Sequence, residues 1–219
     1  MSVSLNVKSR SSQRAEETRH LIFQAAEQRF AAKGFFPTRL EDIAEDVGIT
    51  RTAVIYHFKD KETLYNAVLE RLFTELDNSI KKALESDLPI LQRIEGAVLA
   101  WVDYAGKRPT LMRLFMREVA GSEEGLREEV SRYVSPMFER LIVTLEQGQQ
   151  QGEFRSVSPV QFWSILAGAT MFFIMDAPLL ANNAREEAVR IDTYGQELIR
   201  VIHALLGVES QQAGRKQHE

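Results

Sequence analysis

Leu64, Val68, Leu72, Leu76 and Ile80 recur every fourth residue with no proline or glycine between them. Such a run is one face of a long α-helix, because 3.6 residues per turn stack positions i and i+4. The same period governs nearly the whole chain, and no stretch alternates with period two over a useful length. Leu21, Ile22, Ala25, Ala26 and Phe30 form an earlier stripe that Lys33-Gly34 closes. Beyond Asp87-Leu-Pro89 the spacing predicts helices near Pro89–Lys107, Pro109–Ala120, Glu123–Gln151 (with a kink before Pro136), Pro159–Leu180 and Glu186–Leu206. Twelve glycines and six prolines in 219 residues are too few turn residues for a many-stranded sandwich or barrel. The expectation is an all-α chain of about nine helices.

The most informative segment is two short helices close together. Thr38-Arg-Leu-Glu41 has the spacing of a capping box and opens a helix with Leu40, Ile43, Ala44 and Val47 inward. It stops at Gly48, and after Ile49 the Thr50 side chain caps the helix Arg51–Phe58. Two short helices joined by a brief glycine-containing turn are the pattern of a helix-turn-helix. With Val54 inward, 100° per residue puts Thr52, Tyr56 and Lys59 on the outer face, and Arg51 in the first turn. A recognition helix reads base edges mainly with its N-terminal residues. Arg51 suits guanine, and Thr52 and Tyr56 suit thymine methyls or base edges. Thr38, Arg39, Thr50, His57 and Lys61 lie where a phosphate backbone would pass, Thr38 being first a helix cap. The acids Glu41, Asp42, Glu45 and Asp46 would repel DNA, so their face is expected toward solvent.

The run Ala25-Ala26, Phe30, Gly34, Thr38, Ile43-Ala44, Val47-Gly48-Ile49, Tyr56-His57-Phe58, Lys61, Leu64 resembles the N-terminal domain of the tetracycline-repressor (TetR) family of bacterial regulators. The match covers about residues 15–70. The chain departs from the family at Ile55, where an aromatic residue, commonly a phosphate-contacting tyrosine, is usual. The resemblance implies an N-terminal three-helix helix-turn-helix domain and a C-terminal helical bundle. The expected division is a disordered arm at 1–13, the DNA-binding domain at 14–60, a connecting helix at 61–84, a ligand-binding and dimerisation domain at 85–207, and a disordered tail at 208–219.

Net charge, −4 over the whole chain, hides a gradient. Residues 1–40 carry seven basic and three acidic groups, a balance of +4, whereas residues 85–219 carry 14 basic and 19 acidic groups, a balance of −5. The positive end coincides with the expected reading head, as electrostatic attraction to a duplex requires.

The C-terminal two-thirds carries no specific motif. Trp101, Tyr104, Met112, Phe115, Met116, Trp163, Met171 and Phe172 supply aromatic and methionine surface that reads first as core. The family resemblance raises the expectation that some of them line a cavity for a small hydrophobic effector. Asp103, Arg113, Arg117, Glu118 or Asp176 would then orient its polar end. Ile191, Tyr194, Leu198, Val201, Ile202 and Leu205 form one stripe, and Ala167-Gly168 permits close approach of another helix, together a candidate homodimer surface.

The reading that follows is a ligand-released repressor that binds a palindromic double-stranded DNA operator as a homodimer. The alternative is a DNA-bound interaction protein without a small-molecule ligand. No catalytic residues are expected: there is no glycine-rich phosphate loop or nucleophile–base pair, and the histidines (His20, His57, His203, His218) show no metal spacing. No cofactor or metal is expected. Absent cysteine removes disulfides and thiolate metal sites and suits a cytoplasmic protein. Phe162–Met175 is apolar but short of the roughly 20 residues of a membrane span, so a helix buried on all sides is expected.

Overall fold

A computed structural model describes residues 10–121, 128–180 and 190–208. Residues 1–9 of the expected arm and 209–219 of the expected tail lie outside these residues, as do the starts expected for helices at Glu123 and Glu186, whereas residues 10–13, expected in the disordered arm, are the first turn of α1. All regular structure among the described residues is helical: α1 Arg10–Lys33, α2 Leu40–Val47, α3 Arg51–Phe58, α4 Lys61–Leu84, α5 Ile90–Lys107, α6 Pro109–Gly121, α7 Glu128–Gln150, α8 Pro159–Leu180 and α9 Ile191–Leu206. The chain divides into two compact units, one ending at Arg71 and the other beginning at Leu72, so α4 contributes to both.

In the first unit Ile22, Ala26 and Phe30 of α1, Ile43 of α2, Val54 and Phe58 of α3, and Leu64, Tyr65 and Val68 of α4 close one small core. Phe30 meets Tyr65 edge to face, with ring centroids 4.8 Å apart. The Arg29 guanidinium grips the Asp46 carboxylate through two hydrogen bonds of 2.6 Å, fastening α1 to α2.

The turn between α2 and α3 rests on Gly48, which sits in the left-handed region at φ 73° while its amide and that of Ile49 close the helix end. A Cβ there would meet no atom within 4 Å, so backbone conformation alone selects glycine. The expected capping box does not form. Helix α2 starts at Leu40 with Arg39 as its N-cap, which shifts Glu41 out of the reciprocal position. Thr38 is 1% exposed and donates its hydroxyl to the Gly34 carbonyl at 2.7 Å. It closes the end of α1 rather than opening α2.

In the second unit α5 is central, burying Ile94, Ala97, Val98, Trp101 and Val102 among α6, α7, α8 and α9. Two glycines let α9 approach it. A Cβ on Gly106 would lie 2.6 Å from Ile191, and one on Gly195 would lie 3.2 Å from Leu99. Helix α7 runs through Pro136. Arg155 donates from its amide and its guanidinium to the carbonyls of Leu206 and Leu205, satisfying the C-terminus of α9.

Helix α8 departs from the expectation of burial on all sides. Phe162, Leu166, Thr170 and Met171 face inward, whereas Ile165, Phe172, Met175 and Leu179 are exposed. The span Pro159–Ala177 is long and apolar enough to cross a membrane by length and composition. Its uniform hydropathy has two sources: one face belongs to the bundle interior, and a second apolar face lies outside it.

Candidate nucleic-acid interface and interior cavities

The short third helix presents a divided surface. Val54 and Phe58 are buried, while Arg51, Thr52 and Tyr56 are exposed, Tyr56 at 84%. Thr50 accepts a hydrogen bond from the Ala53 amide and so caps the helix, orienting its first turn outward. Tyr56 and His57 contact one another edge to face at 5.3 Å. The His57 carbonyl is held by Arg19, whose guanidinium also lies 4.2 Å from the Phe58 ring centroid. This anchor fixes the helix to α1 from behind and leaves the outer face clear.

Two of the expected phosphate contacts are spent inside the protein. Lys61 donates its ammonium to the carbonyls of Phe35, Phe36 and Thr38 and lies over the Phe35 ring, so it braces the connection between α1 and α2. Thr38 is buried beside it. The acids of α2 lie toward solvent, with Glu41, Glu45 and Asp46 exposed. Glu41 pairs with Arg51 at 2.9 Å and lies 3.7 Å from Arg39, and Asp46 is taken by Arg29. Glu41 and Asp46 thus offset cations distant in sequence, a pairing that charge counting along the chain does not reveal. Arg39 remains largely exposed.

Asp60 accepts from the Thr63 amide at 2.7 Å and caps α4, which holds its carboxyl below the ordinary range. Between α3 and α4, Lys59 adopts φ 61° and ψ −59°, and the Asp60 amide reaches back to the Phe58 carbonyl at 2.6 Å. This is a γ-turn at a non-glycine residue, a strained conformation.

Among the described residues of the second unit lie two neighbouring cavities. One is lined by Ile80, Leu84, Ala97, Val98, Trp101, Met137, Leu141, Trp163 and Leu166. The other is lined by Phe73, Leu76, Trp101, Leu111, Met112, Phe115, Val134, Met137 and Trp163. Trp101, Met137 and Trp163 belong to both, and the two indoles are 5.5 Å apart. The volumes are about 20 and 10 Å³, room for a water molecule at most.

Of the residues expected at a ligand cavity, Trp101, Met112, Phe115 and Trp163 line these spaces. Tyr104 instead donates its hydroxyl to the Leu72 carbonyl and to Glu75. Met116 and the buried Met171 lie outside the linings, and Phe172, 70% exposed, points away from the interior. Asp103, Arg113, Arg117, Glu118 and Asp176 also lie outside both linings, and Asp103 pairs with Lys107. The aliphatic lining residues carry no sequence signal that separates a cavity wall from packed core.

The expected dimer stripe on α9 is divided. Leu198 and Ile202 are buried and Ile191 packs on Gly106, so these three face their own bundle. Tyr194 stacks on Phe173 with centroids 4.0 Å apart and donates to Thr170. Val201 is half exposed and Leu205 partly so. On α8, Ala167 is buried while Gly168 is exposed with open space beside it.

A glycine-turned pair of short helices with an outward polar third helix, joined to an all-helical bundle, defines a helix-turn-helix DNA-binding regulator. Known proteins agree. The family description "Bacterial regulatory proteins, tetR family" matches residues 22–68, and "Tetracyclin repressor-like, C-terminal domain" matches residues 91–196. The chain belongs to the TetR family of bacterial transcriptional regulators. It is 26% identical to the HTH-type transcriptional regulator RutR of Escherichia coli K12 over 157 residues, covering 72% of this chain and 74% of that protein. It is 41% identical to the regulator TtgR of Pseudomonas putida over 78 residues, covering 36% of this chain and 37% of TtgR. A tetR-family regulatory protein from Rhodococcus RHA1 shares the fold, with TM-score 0.70 and 19% identity over 89% of this chain and 99% of that one.

Proposed function

We propose that this regulator is a cytoplasmic repressor that binds a palindromic operator as a homodimer and is released by a small hydrophobic effector. The observation that carries the ligand response is the placement of α4. Leu64 and Val68 belong to the core of the DNA-reading unit, while Phe73, Leu76, Ile80 and Leu84 of the same helix wall the two cavities. A ligand too large for about 20 Å³ favours a wider bundle in which α4 is displaced. That displacement alters the reading unit, and operator and effector then weaken one another by the same factor. A coupling of about 1–3 kcal/mol changes affinity roughly 5- to 150-fold.

Arg51, Thr52 and Tyr56 read base edges, while Arg39, Thr50 and His57 face the phosphate backbone. A two-fold dimer supplies two such helices to half-sites one helical turn or a multiple of it apart. The test is binding to the DNA that flanks the chain's own gene. A palindrome bound with a steep salt slope is expected. Arg51→Ala and Tyr56→Ala each lose about 1–3 kcal/mol per base contact and relax specificity at one position. Unchanged base preference in both variants overturns this placement of the recognition helix. Apolar compounds that neither stabilise the protein nor lower its operator affinity favour the alternative, a DNA-bound interaction protein without a small-molecule ligand.

A further inference from the structure

We infer that the interior site takes an uncharged, flat apolar molecule carrying one hydrogen-bond acceptor, and that the Trp101 indole N–H is the group that orients it. The inference rests on the reading of the bundle interior as an effector site and names the chemistry of its ligand. Trp101 is 3% exposed, and its Nε1 meets no hydrogen-bond acceptor among the described residues. A buried indole N–H usually finds a partner, and leaving it without one is unfavourable. Trp101 also lines both cavities, and widening the space between them must uncover its N–H, which the packed interior covers in the ligand-free protein.

The surroundings restrict the partner. Every side chain lining the two spaces is apolar or an indole, so a water drawn there would find no side-chain acceptor for its own protons. An acceptor on an apolar body meets the same N–H and fills the rest of the lining with matching surface. The two indoles, inclined at 60° to one another, offer ring faces and edges that suit an aromatic molecule. A carboxylate would leave water for a lining without cations. Arg140 of α7 lies outside both linings and pairs its Nη2 with Asp77, while its Nε is a second buried donor without a partner among the described residues.

Three probes of one shape test this on the full chain: 2-acetylnaphthalene, 2-isopropenylnaphthalene and 2-naphthoate, followed by titration calorimetry. The ketone and the alkene differ mainly in the acceptor. The ketone is expected to bind about 3- to 10-fold more tightly than the alkene, the effect of one hydrogen bond, and the carboxylate more weakly than either. Trp101→Phe removes the N–H, keeps a ring, and is expected to bring ketone and alkene to equal affinity. Because the comparison between probes is made first on the unaltered protein, misfolding of the variant does not hide the answer.

Equal affinities in the unaltered protein, or a ketone preference that survives in a folded Trp101→Phe protein, overturn the role of Trp101. Tightest binding by 2-naphthoate overturns the uncharged class. No binding by any probe overturns the inference as a whole. Operator affinity is measured separately in each titration. A ketone preference lost in Trp101→Phe, with operator affinity unchanged throughout, upholds the ligand chemistry while rejecting the effector reading on which the site was first proposed.

Discussion

Arg51 is held in the DNA-free protein by a carboxylate. Glu41 lies 2.9 Å from its Nε, with about half of each side chain exposed, so the pair is weak and screened. A base or phosphate contact that reorients the Arg51 guanidinium competes with that partner. Glu41→Gln is therefore expected to tighten operator binding about 2- to 5-fold near 0.1 M salt, the difference narrowing as salt rises. Glu45→Gln, on the same helix and exposed, controls for the general loss of a negative charge. Fluorescence anisotropy on a labelled operator measures both, and an equal gain in the two variants removes any special role for Glu41. The outward face of α3 was legible in the sequence because Val54, buried in a two-turn helix, determines where Thr52 and Tyr56 point. Thr38 and Lys61 were not legible. Their partners are carbonyls at the end of α1 and in the following turn, Gly34 and Phe35, and carbonyls are present at every residue.

At the scale of elements, the reading unit depends on two backbone conformations and two carboxylates. Gly48→Ala places a Cβ in the left-handed region and is expected to lower stability by about 1 kcal/mol, with no steric contribution because the surrounding space is open. Lys59→Gly relieves a strained γ-turn and is expected to raise it by a similar amount. Thermal melts of the two variants should move in opposite directions. Asp46, bonded to Arg29, and Asp60, bonded to the Thr63 amide and side chain, both ionise below their ordinary value of 3.8. Carboxylates whose folded values are depressed stabilise the fold above the unfolded value and lose that contribution as pH falls through the folded value. The melting temperature should thus drop as pH falls below about 4, and Asp46→Asn should flatten part of that slope. Helix boundaries were largely readable because Pro109, Pro159, Gly34 and Gly48 punctuate the chain. The capping box misled because a one-residue shift in the start of α2 carries Glu41 out of reach.

For the whole molecule, the open question in the sequence was which apolar stripes meet their own chain and which meet another. Periodicity identifies a buried face without identifying its partner. Leu198 and Ile202 are satisfied by α5, whereas Ile165, Gly168, Phe172, Met175 and Leu179 are spaced three and four apart on the outside of α8. That spacing is the seam of two helices packed side by side, with Gly168 permitting close approach at its middle. Exposed apolar residues in such a line mark an association surface. For the proposed homodimer, this seam rather than the inward half of α9 is the expected contact. Phe172→Glu sets a charge in the middle of it, where a self-complementary two-fold contact would bring two such charges close together. The expected outcome in sedimentation velocity is a dimer that dissociates at protein concentrations at least 10-fold higher than for the unaltered chain, since burying an unpaired charge costs several kcal/mol. Leu198→Glu, on the inward face, should lower the melting temperature instead. A Phe172→Glu protein that stays dimeric and binds a full palindrome as before would place the two-fold contact elsewhere on the bundle.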